Sequence, residues 1–560
     1  MSIINKTKNT VAIYNRGREV VKVYDHGTLA WQKQSSIPDY LCFTALEAGT
    51  FTLTVPAAVT PTYLSYVEWS KDGRTWNHTD NTSEAVTIDV QVAQGEKVYW
   101  RGSGSRMAYD YNANKYSVFS STGTFDVSGD LRSLLFADDF ENVTTTNQQY
   151  CFTGLFYGAS VVDASNLRLA LTGLGAYMYC FRGCTQLLHA PALMEGNTIM
   201  QWQFHSTYQD CTNLITGTDL QATSVGVRGF YYTYRSCTSL VKAPNISSIT
   251  TIGNSGLCAM FWGCTSLTYI KCLATSLYDD GNASHFATSN WLVGASSTGT
   301  FIQAEGVTWP RGASGIPTGW VDVEKRTMPS GYKQVEYLQA VKPYPTNYNA
   351  AIVGTEIVLD PSQDTIEFAV WPRLDEDGYL INGGGSTAGE MPFANTSSPT
   401  TTTAKVGLFY ILYRVNSSTN LLSAFFTRVN GDGTNRASGF SLDATNKVTD
   451  NPQTIRVECS ATSSVMYLNG TQVASRSGYT VDTSDMTTLQ AFVLAYNNKI
   501  YNWEHPFYYL KWWRGANLIA DYVPCVRESD DEVGFYDFAS QTFKTRYYTN
   551  SEPFTAGEEI

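Results

Sequence analysis

Charge is scarce in this 560-residue chain. Asp, Glu, Lys and Arg together make up 16%, against about 25% in an average soluble domain. Basic residues are the scarcer kind, 38 against 50 acidic, for a net charge of −12. A phosphate-binding surface needs clustered Lys and Arg, so nucleic acid is not expected as a partner. Docking on anionic lipid is disfavoured for the same reason. Long apolar runs are missing too. No stretch of about 18 uninterrupted apolar residues occurs, so no membrane-inserting segment is expected. The opening Met1-Ser2-Ile3-Ile4-Asn5-Lys6 has no apolar run of signal-peptide length, which points to synthesis in a cytoplasm. The six histidines (26, 78, 189, 205, 285 and 505) are scattered, with no HExxH and no pair at metal-ligand spacing. Among eleven cysteines there is no CxxC. A zinc site is therefore not expected, and buried reduced thiols are favoured over disulfides.

What the chain has is aromatic and turn-forming residues. Phe, Trp and Tyr reach 13%, with 36 Tyr, 26 Phe and 13 Trp, and Gly alone counts 44. Strands favour aromatic and β-branched residues, and Gly, Asn and Asp supply turns. The composition therefore predicts a mainly β protein. At about 150 residues per domain the length suggests three or four domains.

The middle of the chain repeats. Cys184-Thr185-Gln186-Leu187, Cys211-Thr212-Asn213-Leu214, Cys237-Thr238-Ser239-Leu240 and Cys264-Thr265-Ser266-Leu267 follow one another at steps of 27, 26 and 27 residues. Each Cys has an aromatic three residues before it: Phe181, Tyr208, Tyr234 and Phe261. Leu155-Phe156-Tyr157-Gly158-Ala159-Ser160 reads as a degenerate first copy with Ala159 in the Cys slot. A period in the twenties predicts a solenoid, whose units are too small to bury their own apolar faces and so stack. Cys184, Cys211, Cys237 and Cys264 are then small, weakly donating residues repeated along a structural ladder. The phrases Ser121-Thr122-Gly123-Thr124-Phe125 and Ser297-Thr298-Gly299-Thr300-Phe301 bracket the array as expected caps, and Trp309-Pro310 and Gly315–Trp320 close it.

The two ends carry other patterns. Val11–Tyr14, Val20–Tyr24 and Leu29–Trp31, with turns at Asn15–Arg18 and Asp25-His26-Gly27, predict a three-stranded meander. It is too small to be secure alone, so it should fold against another subunit or a larger assembly. Period-two runs at 40–43, 50–55, 66–70, 86–90 and 97–100 predict a β-sandwich of Ig-like size. Residues 329–560 offer many strands, among them 365–371, 454–459, 465–468, 489–494 and 507–513, with Asn469-Gly470 as a strong hairpin turn. So many strands in one block suggest a jelly roll. The expected layout is 1–35 meander, 36–104 sandwich, 105–325 solenoid with caps, and 329–560 jelly roll.

Resemblances add to this. The phrase Met260-Phe261-Trp262-Gly263-Cys264-Thr265-Ser266-Leu267-Thr268 resembles leucine-rich repeats of the BspA-like bacterial surface type, which implies a binding scaffold. Tyr467-Leu468-Asn469-Gly470 followed by Lys511-Trp512-Trp513-Arg514 resembles a concanavalin A-like (LamG-like) lectin fold. The whole order, with Met328-Pro329-Ser330-Gly331-Tyr332 opening the last block, resembles virion fibre proteins of gut bacteriophages of Bacteroides, including crAss-like phages. That resemblance implies a tail or head fibre located in the virion and made in the host cytoplasm. It implies a homotrimer whose N-terminus meets other virion proteins through Tyr14, Gly17, Tyr24, Gly27 and Trp31, while distal domains meet host cell-surface glycan.

Catalytic strings are few. Glu528-Ser529-Asp530-Asp531-Glu532 has the alternation of laminarinase-type glycosidases, whose carboxylates share one cleft. Its intervening residues are polar here, so it reads as an exposed hairpin turn and the chain is expected not to be an enzyme. Asn382-Gly383-Gly384-Gly385-Ser386 lacks a P-loop Lys. Asp375-Glu376-Asp377 and Asn430-Gly431-Asp432-Gly433 could offer oxygens to Ca²⁺, but loop turns explain them as well, and no cofactor is expected. Sugars stack on exposed aromatic faces with polar neighbours holding their hydroxyls. The candidates are Trp202, flanked by Gln201 and Gln203, Trp503, between Asn502 and Glu504, and Tyr232, Trp262, Trp291 and Trp513. Core packing competes at each. The reading is a glycan-attaching phage structural protein, with a bacterial surface adhesin and a glycan depolymerase as alternatives.

Overall fold

The computed structural model describes backbone and side chains over 37–57, 63–108, 115–143, 149–169, 173–193, 196–312, 314–339, 362–374, 441–478 and 505–545, with a few positions beside these. Over Ser2–Gln32, Val353–Gly354, Glu390–Thr396, Val406–Asn416, Thr419–Val429, Asn435–Thr445 and Gln490–Val493 it describes strands, mostly without side chains. The described chain is almost wholly β and turn, with one four-residue α-helix at Ser133–Phe136 that runs on into a 3-10 helix at Ala137–Asn142.

The N-terminal strands differ from the expected meander. Thr10–Asn15 pairs antiparallel with both Ser2–Thr7 and Arg18–Glu19, and Lys22–Asp25 with Thr28–Gln32 forms a separate hairpin. The sequence pattern missed Ser2–Thr7 because its Asn5 and Lys6 interrupt the apolar alternation. Tyr14, Tyr24 and Trp31 lie on these strands, while Gly17 and Gly27 and all five side chains lie outside the described residues.

The sandwich sets six strands, in the order Asn166–Arg168, Phe125–Asp130, Leu41–Ala45, Lys97–Gly104, Leu64–Ser70 and Asn77–Asp80, beside a three-stranded sheet of Val86–Val92, Gly49–Val55 and Val118–Ser121. Alternation does the sorting: in Gly49–Val55, Phe51, Leu53 and Val55 are buried and Thr52 and Thr54 are not. Phe43 sits at the centre, 4.7 Å from Phe119, 4.9 Å from Phe125 and 5.5 Å from Phe51 by ring centroids. Three of these strands lie beyond residue 104, so the expected boundary cuts through the sandwich, and Ser121–Phe125 links two of its strands rather than capping a separate array. Phe119 also stacks on Phe156 of the first solenoid turn at 5.6 Å. One buried apolar cluster accordingly runs from Leu41 to Trp320.

The solenoid is a stack of rungs at 150–158, 175–183, 202–210, 228–236 and 255–263, each a chain of overlapping turns. Their backbone hydrogen bonding alternates residue by residue. In the second rung Ala176, Met178, Cys180 and Arg182 donate to the carbonyl three residues back. Gly175, Tyr177, Tyr179, Phe181 and Gly183 donate instead to Gln201, Gln203, His205, Thr207 and Gln209 of the next rung, all at 2.8–3.2 Å. Every N–H in the run is thus satisfied, as a buried backbone requires. The alternation needs a left-handed residue at every fourth position. These are Gly175, Tyr179 and Gly183 in one rung, Trp202, Ser206 and Asp210 in the next, and Arg228, Tyr232 and Ser236 in the one after, with φ between 53° and 74°.

Side chains repeat the stack. Phe156, Phe181, Tyr208, Tyr234 and Phe261 lie face over face at 4.9–5.6 Å, with interplanar angles of 12–18°. A second column runs Phe152, Tyr177, Phe204 and Phe230 at 5.3–5.9 Å. The thiols of Cys184, Cys211, Cys237 and Cys264 each donate to the carbonyl of the aromatic one rung back, Phe156, Phe181, Tyr208 and Tyr234, at 2.9–3.1 Å. All eleven cysteines are free, and ten are buried. Burial pushes the Cys184 and Cys264 thiols up to about 12. The array ends on tryptophan: Trp291 stacks on Trp309 at 5.5 Å and donates its Nε1–H to the Gly315 carbonyl at 2.9 Å.

The last block has an 11-stranded sheet centred on Asp364–Val370, Phe507–Arg514 and Asn517–Arg527, and a six-stranded sheet from Val353–Gly354 to Asn435–Thr445. This is a two-sheet jelly-roll arrangement. Ile366, Phe368, Leu510, Trp512 and Met466 from one sheet and Tyr413, Leu422 and Leu442 from the other share its core. Asn469 and Gly470, at φ 49° and 76°, make the hairpin turn their sequence predicts. At the junction with the solenoid, Ile302, Val321 and Val323 pack with Ala369, Tyr508 and Ile560.

A candidate aromatic and arginine face on the solenoid

Counting back from each ladder Cys, the positions at −2, −5 and −6 come together on one side of the rungs. Tyr179 meets His205 edge-on at 5.3 Å, and His205 stacks on Tyr231 at 5.1 Å. Tyr231 touches Tyr232 at 4.1 Å, and Tyr232 meets Trp262 at 6.4 Å. Arginines are laid over these rings. Arg182 lies 5.8 Å from the Tyr157 centroid and 5.6 Å from Tyr179, and Arg228 lies 5.6 Å from Tyr231. Arg235 lies between two rings, 4.9 Å from Tyr232 and 5.3 Å from Trp262. Each such contact contributes about 0.5–1 kcal/mol where exposed.

The face is part-exposed: Tyr157 is 41% exposed, and Arg182, Tyr232, Arg235 and Trp262 are half-buried. Asp210 is 3.9 Å from Arg182. Among the described residues neither Arg228 nor Arg235 is ion-paired. Burial, reinforced by the Arg182 and Arg228 charges, lowers the His205 pKa to about 4, so its ring is neutral at physiological pH.

Of the sequence candidates, Tyr232 and Trp262 meet here. Trp202 is half-buried on the same rungs at position −9, beside Gln201 and Gln203. Trp291 is fully buried in the core, because the array needs a wide side chain to end its aromatic column. Trp513 stands in the other block, on Phe507–Arg514, with the Arg456 guanidinium 5.4 Å from its ring. Trp503, Asn382–Ser386, Asp375–Asp377 and Asn430–Gly433 lie outside the described residues. The string Glu528–Glu532 is the turn between Asn517–Arg527 and Glu532–Asp537, where Asp530 pairs with Arg527 at 2.6 Å. Among the described residues no group of three or more His, Cys, Asp and Glu could hold a metal ion.

Two concavities went unread in the sequence. A groove of about 770 Å³ runs across the rungs beside His189, Thr216, Lys242 and Tyr269, each the fifth residue after its Cys. That shared offset is the signal that could have found it, but four unlike residues hide the column. His189 bonds Thr216 at 2.9 Å, and the Lys242 ammonium lies 4.8 Å from the Tyr269 centroid. A cleft of about 470 Å³ lies where the solenoid meets the last block. Its carboxylates are engaged: Asp521 with Arg326 at 2.7 Å, Glu324 with Lys511 at 3.3 Å, and Glu367 with Arg456 at 3.4 Å. This arrangement fastens two blocks together.

No protein-family model matches the chain, and no curated protein does. Solved structures similar to part of it include a putative carbohydrate-binding protein from Bacteroides ovatus, at 11% identity and TM-score 0.26, covering 40% of this chain and 61% of that one. The CBM40 of a Ruminococcus gnavus IT-sialidase gives 11% identity and TM-score 0.23, covering 33% and 91%. Sheep galectin-11 gives 8% and 0.20, covering 31% and 98%.

Proposed function

We propose that the chain is a non-catalytic attachment protein that holds bacterial surface glycan on the aromatic and arginine face of its solenoid. The observation that carries this is Arg235 set between the half-buried rings of Tyr232 and Trp262, within a continuous path of rings across four rungs. Rings offer flat apolar faces to pyranose C–H groups, and guanidinium N–H groups reach their oxygens. The rigid rungs hold these groups in place before the ligand arrives, which lowers the entropic cost of binding.

In the wider reading the protein is a tail or head fibre of a bacteriophage virion, made in the host cytoplasm, homotrimeric, without cofactor, and joined to other virion proteins by its N-terminal strands. The support for this is the order of its blocks and the small size of the first one. A glycan array probed with the full chain tests binding. Trp262→Ala should lower the retained signal at least tenfold, and an array without hits for the wild type would sink the glycan reading. Antibody-labelled virions imaged by negative stain test the location, and label found only off the particle would overturn it.

A further inference from the structure

In an acidic chain, arginines are expected to be consumed by carboxylates, and through most of the described molecule they are. Arg101 pairs with Glu68 at 2.6 Å, Arg132 with Asp130 at 2.5 Å, Arg326 with Asp521 at 2.7 Å, Arg514 with Asp364 at 2.9 Å and Arg527 with Asp530 at 2.6 Å. The solenoid face departs from this pattern. Arg228 and Arg235 make ring contacts and no ion pair among the described residues, and Arg182 has only Asp210 at 3.9 Å. His205 between them stays neutral and adds no charge of its own. The face is thus locally cationic on a protein of net charge −12.

A guanidinium is weakly hydrated, planar and forked, and it matches a carboxylate with two parallel hydrogen bonds. A guanidinium held over a ring still has N–H groups at its rim to offer a ligand. We infer that the ligand of this face is an acidic glycan, one whose sugars carry carboxylates, with the rings of Tyr232 and Trp262 under the pyranose and Arg228 and Arg235 on its carboxyl groups. This rests on the glycan reading above and narrows it to a chemical class. The rungs recur at about 4.8 Å, so Tyr157 to Trp262 spans about 19 Å, which suits a short run of sugars rather than one residue. A glycan of like charge to the whole chain also explains why the arginines concentrate here: elsewhere the protein repels it, so the encounter is steered to one face.

The test uses the full-length protein and a hexauronate oligosaccharide, with its fully methyl-esterified form as the neutral control, by titration calorimetry. The acid form should bind at least tenfold tighter than the ester, and its affinity should fall as salt rises. The double variant Arg228→Ala/Arg235→Ala should abolish that preference. Trp262→Ala should weaken both forms alike. Far-ultraviolet circular dichroism, which reads the backbone, must be unchanged in each variant, and Arg235→Lys, which keeps charge without the fork, should retain only part of the preference. Equal affinity for acid and ester overturns the inference while leaving glycan binding intact. A preference that survives the double arginine variant overturns the site. Binding to a sulfated oligosaccharide alone overturns the carboxylate class. Failure of both uronate forms, with neutral glycans bound on an array, overturns it as well, and failure of every glycan removes the reading beneath it.

Discussion

The solenoid and the last block bury aromatic cores of similar composition by different rules. In the solenoid a ring meets the ring 25 to 27 residues further on, face over face, and one column joins Phe119 of the sandwich to Phe261 through six rings. In the last block, side chains alternate in and out along each strand, as in Gln453–Cys459 where Ile455 and Val457 are buried, and the partners come from distant strands. A stack passes a defect to its neighbours in line, whereas a sandwich confines it between two sheets. The solenoid also shares its core with the N-terminal sandwich, while Val335 to Phe554 form another cluster.

The largest test of that contrast removes one ring from each. Phe181→Ala and Trp512→Ala, both fully buried, should each cost about 3–5 kcal/mol. By hydrogen exchange, Phe181→Ala should loosen the strands of 41–130 together with the rungs, and Trp512→Ala should leave both protected. Confinement of the Phe181→Ala effect to 175–183 would break the idea of one shared core. Next comes the fastening between the blocks. Arg326 is 14% exposed and Asp521 4%, so Arg326→Ala strands a buried carboxylate at a cost of about 3 kcal/mol. Calorimetry should then separate the melting of the two blocks, and a single unchanged transition would argue against that role.

A smaller effect follows from His205. Its pKa falls from 6.5 unfolded to about 4 folded, so the unfolded chain binds the extra proton between those values. The stability it contributes is present above pH 6.5 and lost as pH falls toward 4. Melting scans at pH 7 and 4.5 should show a steeper loss in the wild type than in His205→Phe. Parallel pH profiles would contradict this. The smallest effect concerns the left-handed positions. Ser236 holds φ 63° where Gly263 stands in the next rung and Gly183 two rungs back. Ser236→Gly should stabilise by about 0.5–1 kcal/mol, read as a raised melting temperature, with no change if the site carries no strain.

The same contrast explains what was legible in the sequence. The period of Cys and aromatic residues announced the rungs, because each copy places the same chemistry at the same offset. Strands of the last block such as Asp364–Val370 and Phe507–Arg514 were legible through alternation. The close of the sandwich was not, since Val118–Ser121 and Phe125–Asp130 return to it from sequence already assigned elsewhere. The face was half legible: Tyr232 and Trp262 stood out as aromatics, but Arg182, Arg228 and Arg235 carry no such mark in the sequence, and only the ladder sets them over rings. Trp291 shows the converse, an aromatic in polar company that the end of the array takes into its core.

The alternating hydrogen bonds make every rung a donor to the one after it and an acceptor from the one before, with nothing in that exchange specific to a given copy. Length is therefore an adjustable property of this molecule. Excising residues 185–211, one whole unit, would bring equivalent backbone groups back into register and shorten the ring-lined path by about 4.8 Å, leaving Arg228, Tyr232, Arg235 and Trp262, the sandwich and the tryptophan-sealed end in place. A lineage carrying this architecture could lengthen or shorten its ring-lined face by gaining or losing units, because each unit exchanges the same backbone bonds with its neighbours.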